Sequence, residues 1–101
     1  MPVTDGMLNP FGTIHAGAMV WFADVVATTL VLGGEKPREG MTGFPLAIYL
    51  VTQLMSNVRG GEVEAKALFV KRGRRVSTVR TVVTAGEKTL IELTSTHVSS
   101  E

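Results

Sequence analysis

The sequence predicts an α+β protein in which one long buried helix is followed by four antiparallel strands. Two observations support this prediction. The apolar run over residues 16–32 ends at a Gly-Gly pair, a common way for a helix to stop. Beyond residue 43, short segments rich in Val, Ile, Leu and Thr alternate with Gly-containing turns, as in a sheet. With 101 residues and no internal repeat, the chain is expected to form a single domain over 1–101.

The helix is expected to begin after the loop 9–15, "NPFGTIH". Its Val and Thr residues lower helix propensity, so burial must hold it in place. Residues 16–34 are almost long enough to span a bilayer, but Asp24 lies at their centre. A central Asp costs about 2.5–3.5 kcal/mol on insertion scales. We therefore expect a helix buried in a protein that does not enter the membrane.

The strands are predicted at 44–55, 62–71, 75–84 and 88–98, and their short connections favour an antiparallel meander. The first of them, "FPLAIYLVTQLM", is apolar on both faces. Such a strand needs cover on both sides of an antiparallel sheet, and the chain offers only one helix. Another copy of the chain is the simplest second cover, so an obligate oligomer is predicted.

Composition excludes several classes of function. Apolar residues make up 45% of the chain and charged residues 19%, which is typical of a globular protein. The net charge of +1 lacks the basic excess of a nucleic-acid-binding protein. No cysteine is present for disulfides or thiolate sites, and two histidines are too few to indicate a metal site. The N-terminus resembles no signal peptide, so a cytoplasmic protein is expected.

Asp24 has apolar residues on both sides of its predicted helix, and two interpretations remain open. It is either a structural acid at a loop or subunit contact, or a general base reached by a cleft. The helix start favours a chemical role, because its first N–H groups are unpaired and carry the positive end of the dipole. Ala16 and Gly17 are small enough to admit a ligand, and Asn9 and His15 precede them. This set suits the addition of water to a carbonyl group.

The stretch "NPFGTIHAGAMVWFAD" resembles the signature of hotdog-fold acyl-CoA thioesterases of the PaaI and 4-hydroxybenzoyl-CoA thioesterase group. That signature reads N-x-x-G-x-x-H-G-G, six residues, then Asp. The matching positions here are Asn9, Gly12, His15, Gly17 and Asp24. The later "VKRGRRVSTVRTVV" looks like the family's strand–Gly–Arg–strand segment. The resemblance covers about residues 9–99 and implies the hotdog fold, a central helix wrapped by an antiparallel sheet.

The resemblance implies hydrolysis of an aryl- or medium-chain acyl-CoA to a free acid and CoA, with no cofactor beyond the substrate's own coenzyme A. Asp24 would activate or orient the attacking water, or act as nucleophile, and the Ala16 N–H would polarise the thioester carbonyl. Asn9 would help polarise the thioester or position the water, and His15 would shape the loop and bond near the thioester. The family places these groups between subunits, which implies a homodimer or homotetramer with Asp24 facing the partner chain's loop.

Three departures from the family leave alternatives open. Ala16 replaces a common Gly, and the chain is N-terminally short for the family. The first strand lacks the polar residue that often holds the water, for which Thr42 and Thr52 are weak substitutes. An enoyl-CoA hydratase or dehydratase on the same fold, or a non-catalytic acyl-CoA binding module, is therefore kept beside the thioesterase.

The remaining candidates surround the substrate. Four cations flank one glycine in Lys71, Arg72, Gly73, Arg74 and Arg75. They form either a solvated hairpin tip or a contact for the phosphates of coenzyme A, and the resemblance favours the second. RNA binding is disfavoured because no aromatic residues are interleaved. Gly17 and Trp21 are also assigned to substrate binding, with Trp21 expected in the core or the acyl pocket, and His97 is expected on the surface.

Overall fold

A computed structural model describes residues 1–33 and 44–99. Its elements in chain order are a 3-10 helix Asp5–Met7, helix α1 Ala16–Leu32, and strands β1 Pro45–Leu54, β2 Glu64–Lys71, β3 Val76–Ala85 and β4 Lys88–Ser99. The predicted helix 16–32 is confirmed, and the strand ends differ from the predicted ones by at most two residues. Residues 34–43, between the predicted helix and the first predicted strand, fall outside the described residues, and Thr42 is among them.

Helix α1 ends at Gly33, whose φ of 66° is the left-handed conformation that glycine adopts without strain. Its N–H closes the last turn on the Leu30 carbonyl. The buried face consists of Met19, Ala23 and Ala27, spaced four residues apart, and it packs against the sheet. The two alanines are small, so the helix lies close to the strands. Within the described part of the chain, no helix is long and apolar enough to cross a bilayer.

The four strands form one antiparallel sheet in the order β1-β4-β3-β2. This order confirms the α+β class but shows that the predicted simple meander is wrong. Only β2, β3 and β4 follow one another, while β1 pairs with β4. Residues 55–63 are therefore not a tight turn, because they connect one edge of the sheet to the other. Turn residues in a sequence indicate where strands end but not which strands pair.

The inner face of β3 and β4 forms the floor beneath the helix. Every second residue there is buried: Ser77, Val79, Thr81, Val83, Ile91, Leu93, Ser95 and His97. His97 is only 1% exposed, so the prediction that it lies on the surface is wrong. The alternation that begins with Ile91 and Leu93 carries Ser95 and His97 onto the same inner face.

The two edges of the sheet differ in charge. Edge strand β1 contains no charged residue, and its large apolar side chains, Leu46, Ile48, Tyr49, Leu50, Val51 and Leu54, are each at least 43% exposed. Edge strand β2 carries Glu64, Lys66 and Lys71. Charged side chains, lysines especially, deter an edge strand from pairing with another chain. Strand β1 lacks this protection over its whole length.

Candidate functional site

The loop before helix α1 is shaped by the side chain of Asn9. Its Oδ1 accepts hydrogen bonds from the N–H groups of Phe11 (3.0 Å) and Thr13 (3.2 Å). Its Nδ2 donates to the Thr13 hydroxyl at 2.8 Å. These bonds form the side-chain turn that Asn commonly makes with the residues following it. Within residues 1–33 and 44–99, the second proton of the Asn9 amide nitrogen has no acceptor.

His15 caps the helix with both its ring and its carbonyl group. The ring Nδ1 accepts from the Gly17 N–H at 3.1 Å, so the proton of the neutral ring is on Nε2. The His15 carbonyl accepts from the N–H groups of Ala18 (3.0 Å) and Met19 (3.4 Å). Among the described residues, nothing accepts a hydrogen bond from the Ala16 N–H. The helix therefore begins with one open donor at the positive end of its dipole.

Glycines allow the close approaches that this cap needs. A Cβ on Gly17 would lie 3.3 Å from the His15 Nδ1, which is tighter than most real contacts. Gly12 has a φ of 80°, and a Cβ there would lie 3.0 Å from Arg59 Nη1. Arg59 also donates to the Phe11 carbonyl at 3.2 Å. The signature positions Gly12 and Gly17 thus have structural reasons to be glycine.

Two residues that support this loop were missed by the sequence reasoning. Arg59 bonds the loop at Phe11, and the side chain of Asn57 bonds both backbone polar groups of Ile14. Both lie in the connection 55–63, where the strand pattern predicts only a short link between two neighbouring strands. An asparagine in a connection is the only feature of the sequence that indicates a structural role here. It does not indicate that its hydrogen-bond partner, Ile14, lies 43 positions away.

Asp24 lies half-buried on one flank of α1. Its Oδ1 is buried and has no hydrogen-bond partner in the described part of the chain. The residue lines a cavity of about 430 Å³ between the C-terminal half of α1 and the start of β1. The other lining residues are mostly apolar: Val25, Thr28, Thr29, Leu32, Phe44, Pro45, Leu46 and Ala47. Thr28, one helical turn after Asp24, is a polar lining residue that the sequence reasoning missed although its spacing places it on the same face.

Asp24 and the open Ala16 N–H are far apart within one chain. They are eight positions apart on α1, which corresponds to about 12 Å along the helix axis. An oxyanion donor and a base that share one carbonyl group must each lie about 3 Å from the reacting atoms. One chain therefore does not bring these two groups onto the same thioester.

The basic turn between β2 and β3 has a fixed backbone. A Cβ on Gly73 would lie 2.0 Å from the Val76 carbonyl oxygen, so only glycine fits. Ser77 Oγ bonds both the N–H and the carbonyl of Gly73, at 3.2 and 3.3 Å. Arg72 stacks over the Phe69 ring at 5.2 Å. Its Nη2 lies 3.8 Å from the position of a Cβ on Gly33, close to the negative end of the helix.

A second cavity, of about 210 Å³, adjoins this turn. Its lining includes three of the predicted cations, Arg72, Arg74 and Arg75, together with Ser77 and His97. Lys71 is exposed and does not line the cavity. Three of the four cations therefore border a concave surface, and the assignment of the segment to phosphate binding stays a prediction.

His97 and Trp21 occupy unexpected environments. Burial lowers the pKa of His97, and the Asp24 carboxylate opposes that shift. Trp21 is 60% exposed, so of its two predicted places the core of the single chain is wrong, and its place in the acyl pocket stays a prediction. It lines neither of the two cavities described above. Across residues 1–33 and 44–99, no three His, Asp or Glu side chains come together as a metal site would require.

Solved structures of known proteins share this architecture. A phenylacetic acid degradation-related protein from Ralstonia eutropha JMP134 is 24% identical with a TM-score of 0.84, over 96% of this chain and 70% of its own. Thioesterase HI1161 from Haemophilus influenzae is 23% identical with a TM-score of 0.81, over 98% and 67%. The BH2602 protein from Bacillus halodurans, solved with CoA, is 18% identical with a TM-score of 0.87, over 100% and 65%.

These similarities show the fold of the chain. No family model matches the sequence, and a search of curated proteins finds no match. The Haemophilus protein is named a thioesterase, and the fold that this chain shares with it is one helix packed on four antiparallel strands. The hotdog fold expected from the resemblance is thereby confirmed.

Proposed function

We propose that this protein is a cytoplasmic acyl-CoA thioesterase that hydrolyses an aryl- or medium-chain acyl-CoA to the free acid and CoA. The observation that carries this proposal is the pairing, on one helix, of an unpartnered Ala16 N–H with a half-buried Asp24 beside an apolar cavity. A thioesterase needs one donor for the carbonyl oxygen and one base for water. The thioesterase and CoA-bound neighbours support the same class of substrate.

In the proposed reaction Asp24 acts as general base. It takes a proton from water as the water oxygen attacks the thioester carbonyl carbon, and the carbonyl oxygen accepts a hydrogen bond from the Ala16 N–H. The tetrahedral intermediate collapses with cleavage of the C–S bond. The proton then passes from Asp24 to the leaving sulfur, which gives CoA thiol and a carboxylic acid. The second proton of Asn9 Nδ2 and the Nε2–H of His15 assist at the thioester or the water.

The working unit is proposed to be a homodimer or homotetramer with active sites between chains. The separation of about 12 Å between Asp24 and the Ala16 N–H supports this, since a second chain is needed to complete the site. Strand β1 supports it too, because it has an uncharged edge and two exposed apolar faces. Trp21, exposed in the single chain, is proposed to be covered by the partner or the substrate.

The two cavities suggest how the substrate divides between them. The cavity beside Asp24, about 430 Å³ and mostly apolar, is in the size range of small-molecule sites and is assigned to the acyl group. The phosphates of CoA are assigned to the basic turn, with Arg74 and Arg75 as cavity-lining cations and Lys71 on its rim. Arg72, stacked on Phe69, holds the turn against the helix end. Gly17 gives the thioester access to the backbone.

The test is thiol release from a panel of aryl- and alkyl-CoA esters by the full chain. Asp24→Asn is compared with Asp5→Asn, the same change at an exposed acid in the 3-10 helix. We expect turnover to fall by about 10²–10⁴-fold in Asp24→Asn and to stay at the parent level in Asp5→Asn. Tight ester binding without turnover in the parent would instead indicate a binding module, and loss of enoyl-CoA absorbance would indicate a hydratase.

A further inference from the structure

Buried polar atoms without partners mark an unusual spot beneath helix α1. In the described part of the chain three such side-chain atoms occur: Asp24 Oδ1, Thr81 Oγ1 and His97 Nδ1. Buried polar groups are almost always paired, because an unpaired one loses its hydration without compensation. Two of these atoms belong to residues that can ionise. Hydrophobic packing does not explain why Asp24 Oδ1 and His97 Nδ1 are both buried without a partner.

His97 lies next to the cavity that Asp24 lines. On strand β4 it is paired with Ala47 of β1, and Ala47 lines that cavity together with Asp24. On its other side His97 borders the basic-turn cavity, whose lining includes Val31, two turns after Asp24 on α1. His97 therefore adjoins both cavities, and α1 borders each of them, with Asp24 at one and Val31 at the other. The Asp24 carboxylate acts electrostatically on His97, as expected of two groups in one low-dielectric region.

The two unpartnered atoms are chemically complementary. The other ring nitrogen of His97, Nε2, lies 2.8 Å from Ser95 Oγ. When the Ser95 hydroxyl donates to Nε2, the proton of the neutral ring resides on Nδ1. Nδ1 is then a donor without an acceptor, while Asp24 Oδ1 is an acceptor without a donor. Burial favours this neutral form of His97.

We propose that His97 is a positioning residue for Asp24. Its Nδ1–H donates to Asp24 Oδ1, directly or through one buried water, and Ser95 completes the chain of hydrogen bonds behind the site. Held by Oδ1, the carboxylate presents Oδ2 to the cavity and to the attacking water. Ser95 is fully buried, so the order Ser–His–Asp does not make it a nucleophile here.

The surroundings of His97 offer no competing acid on the elements packed against it. Asp24 is the only titratable residue of α1. Ser77 on β3 and Ala47 on β1 are paired with His97 in the sheet, and neither ionises. The charged groups lining the adjoining cavity are cations, Arg72 and its neighbours in the basic turn.

The first test needs no enzymatic activity. Nitrogen-15 NMR of the parent protein reports which ring nitrogen of His97 carries the proton, and a pH titration follows its pKa. We expect the Nδ1–H form, and a lower pKa of His97 in Asp24→Asn because the stabilising charge is gone. Asp5→Asn should leave both readings unchanged. A proton on Nε2, or a His97 titration indifferent to Asp24→Asn, would overturn the proposal. If Asp24→Asn does not fold, the protonated nitrogen in the parent alone decides.

The second test rests on the proposed function and uses two matched variants. The side-chain amide of His97→Asn occupies the place of Nδ1, whereas that of His97→Gln reaches the place of Nε2. We expect His97→Asn to keep thiol release within about threefold of the parent and His97→Gln to lose about 10- to 100-fold in kcat, because a misplaced catalytic group costs this much. Equal losses in both variants would overturn the positioning role. A parent without thiol release would overturn the proposed function instead, and the NMR result would still stand.

Discussion

The side chain of Asn57 holds the backbone of Ile14 through two hydrogen bonds. Its Oδ1 accepts from the Ile14 N–H at 3.1 Å, and its Nδ2 donates to the Ile14 carbonyl at 2.8 Å. Ile14 is fully buried and directly precedes His15, the residue that caps the helix. The connection between β1 and β2 thus positions the loop that carries the candidate donor groups.

We expect Asn57→Ala to destabilise the protein by about 1–3 kcal/mol, because the Ile14 carbonyl would lose its donor and the Ile14 N–H would keep only the Val58 carbonyl at 3.2 Å. Urea unfolding of the parent and the variant measures this. Asn57→Asp is the matched variant: it keeps the acceptor but places a carboxylate oxygen against the Ile14 carbonyl oxygen, so it should be at least as unstable as Asn57→Ala. Stability equal to the parent in Asn57→Ala would show that water replaces both bonds.

Asn9 has two separable roles that one pair of variants distinguishes. Asn9→Asp keeps the Oδ1 acceptor for the Phe11 and Thr13 N–H groups and removes the amide donor. If that donor serves the thioester, thiol release should fall about 10²-fold with little change in stability. Asn9→Ala should lose activity and also loosen the loop. Full turnover in Asn9→Asp would show that Asn9 shapes the loop and does not donate to the thioester.

Gly73→Ala should be strongly destabilising, by about 3 kcal/mol, because the new Cβ meets the Val76 carbonyl oxygen at 2.0 Å. Gly60→Ala is the control, because a Cβ there has no neighbour within 4 Å. It should change the free energy of unfolding by no more than about 0.5 kcal/mol. Thermal unfolding of both variants tests the pair. Similar melting temperatures would mean that the basic turn has a second backbone conformation.

The pKa of His97 predicts how stability depends on pH. Burial lowers this pKa in the folded state, so the unfolded chain binds more protons below about pH 6.5. The contribution of neutral His97 is therefore fully present above about pH 6.5 and is lost as the pH falls toward the folded-state pKa. Unfolding at a series of pH values should show a shallower acid loss in His97→Gln. The same slope in both proteins would contradict this assignment.

One lysine substitution on each edge strand, β1 and β2, tests the proposed assembly of chains. Ile48→Lys places a charge on the uncharged edge strand, at a side chain that is 61% exposed. Light scattering should then show a smaller particle, and thiol release should fall, because the intersubunit site is lost. Leu68→Lys on β2, at a side chain 73% exposed, should leave both unchanged. The reverse pattern would place the interface at the other edge.

Local features of the sequence determined what could be predicted. The helix bounds follow from an apolar run and Gly33, and the strand ends follow from Gly-rich turns, so both agree with the structure. The β1–β4 pairing and the hydrogen bonds between Asn57 and Ile14 join distant parts of the chain, and no local sequence pattern predicts them. The alternation of buried residues along β4 would have predicted that His97 is buried. The surface was predicted instead, because histidine is a polar residue.

The strand order has a consequence for synthesis of the chain. Strand β1 ends at Leu54, yet its partner β4 begins only at Lys88. At about 5–20 residues per second, translation leaves β1 without its neighbour for roughly 2–7 s. During that interval the uncharged, apolar β1 segment has not yet gained the strand that pairs with it. Slower translation through β2 and β3 would lengthen this window and raise the risk that neighbouring nascent chains aggregate.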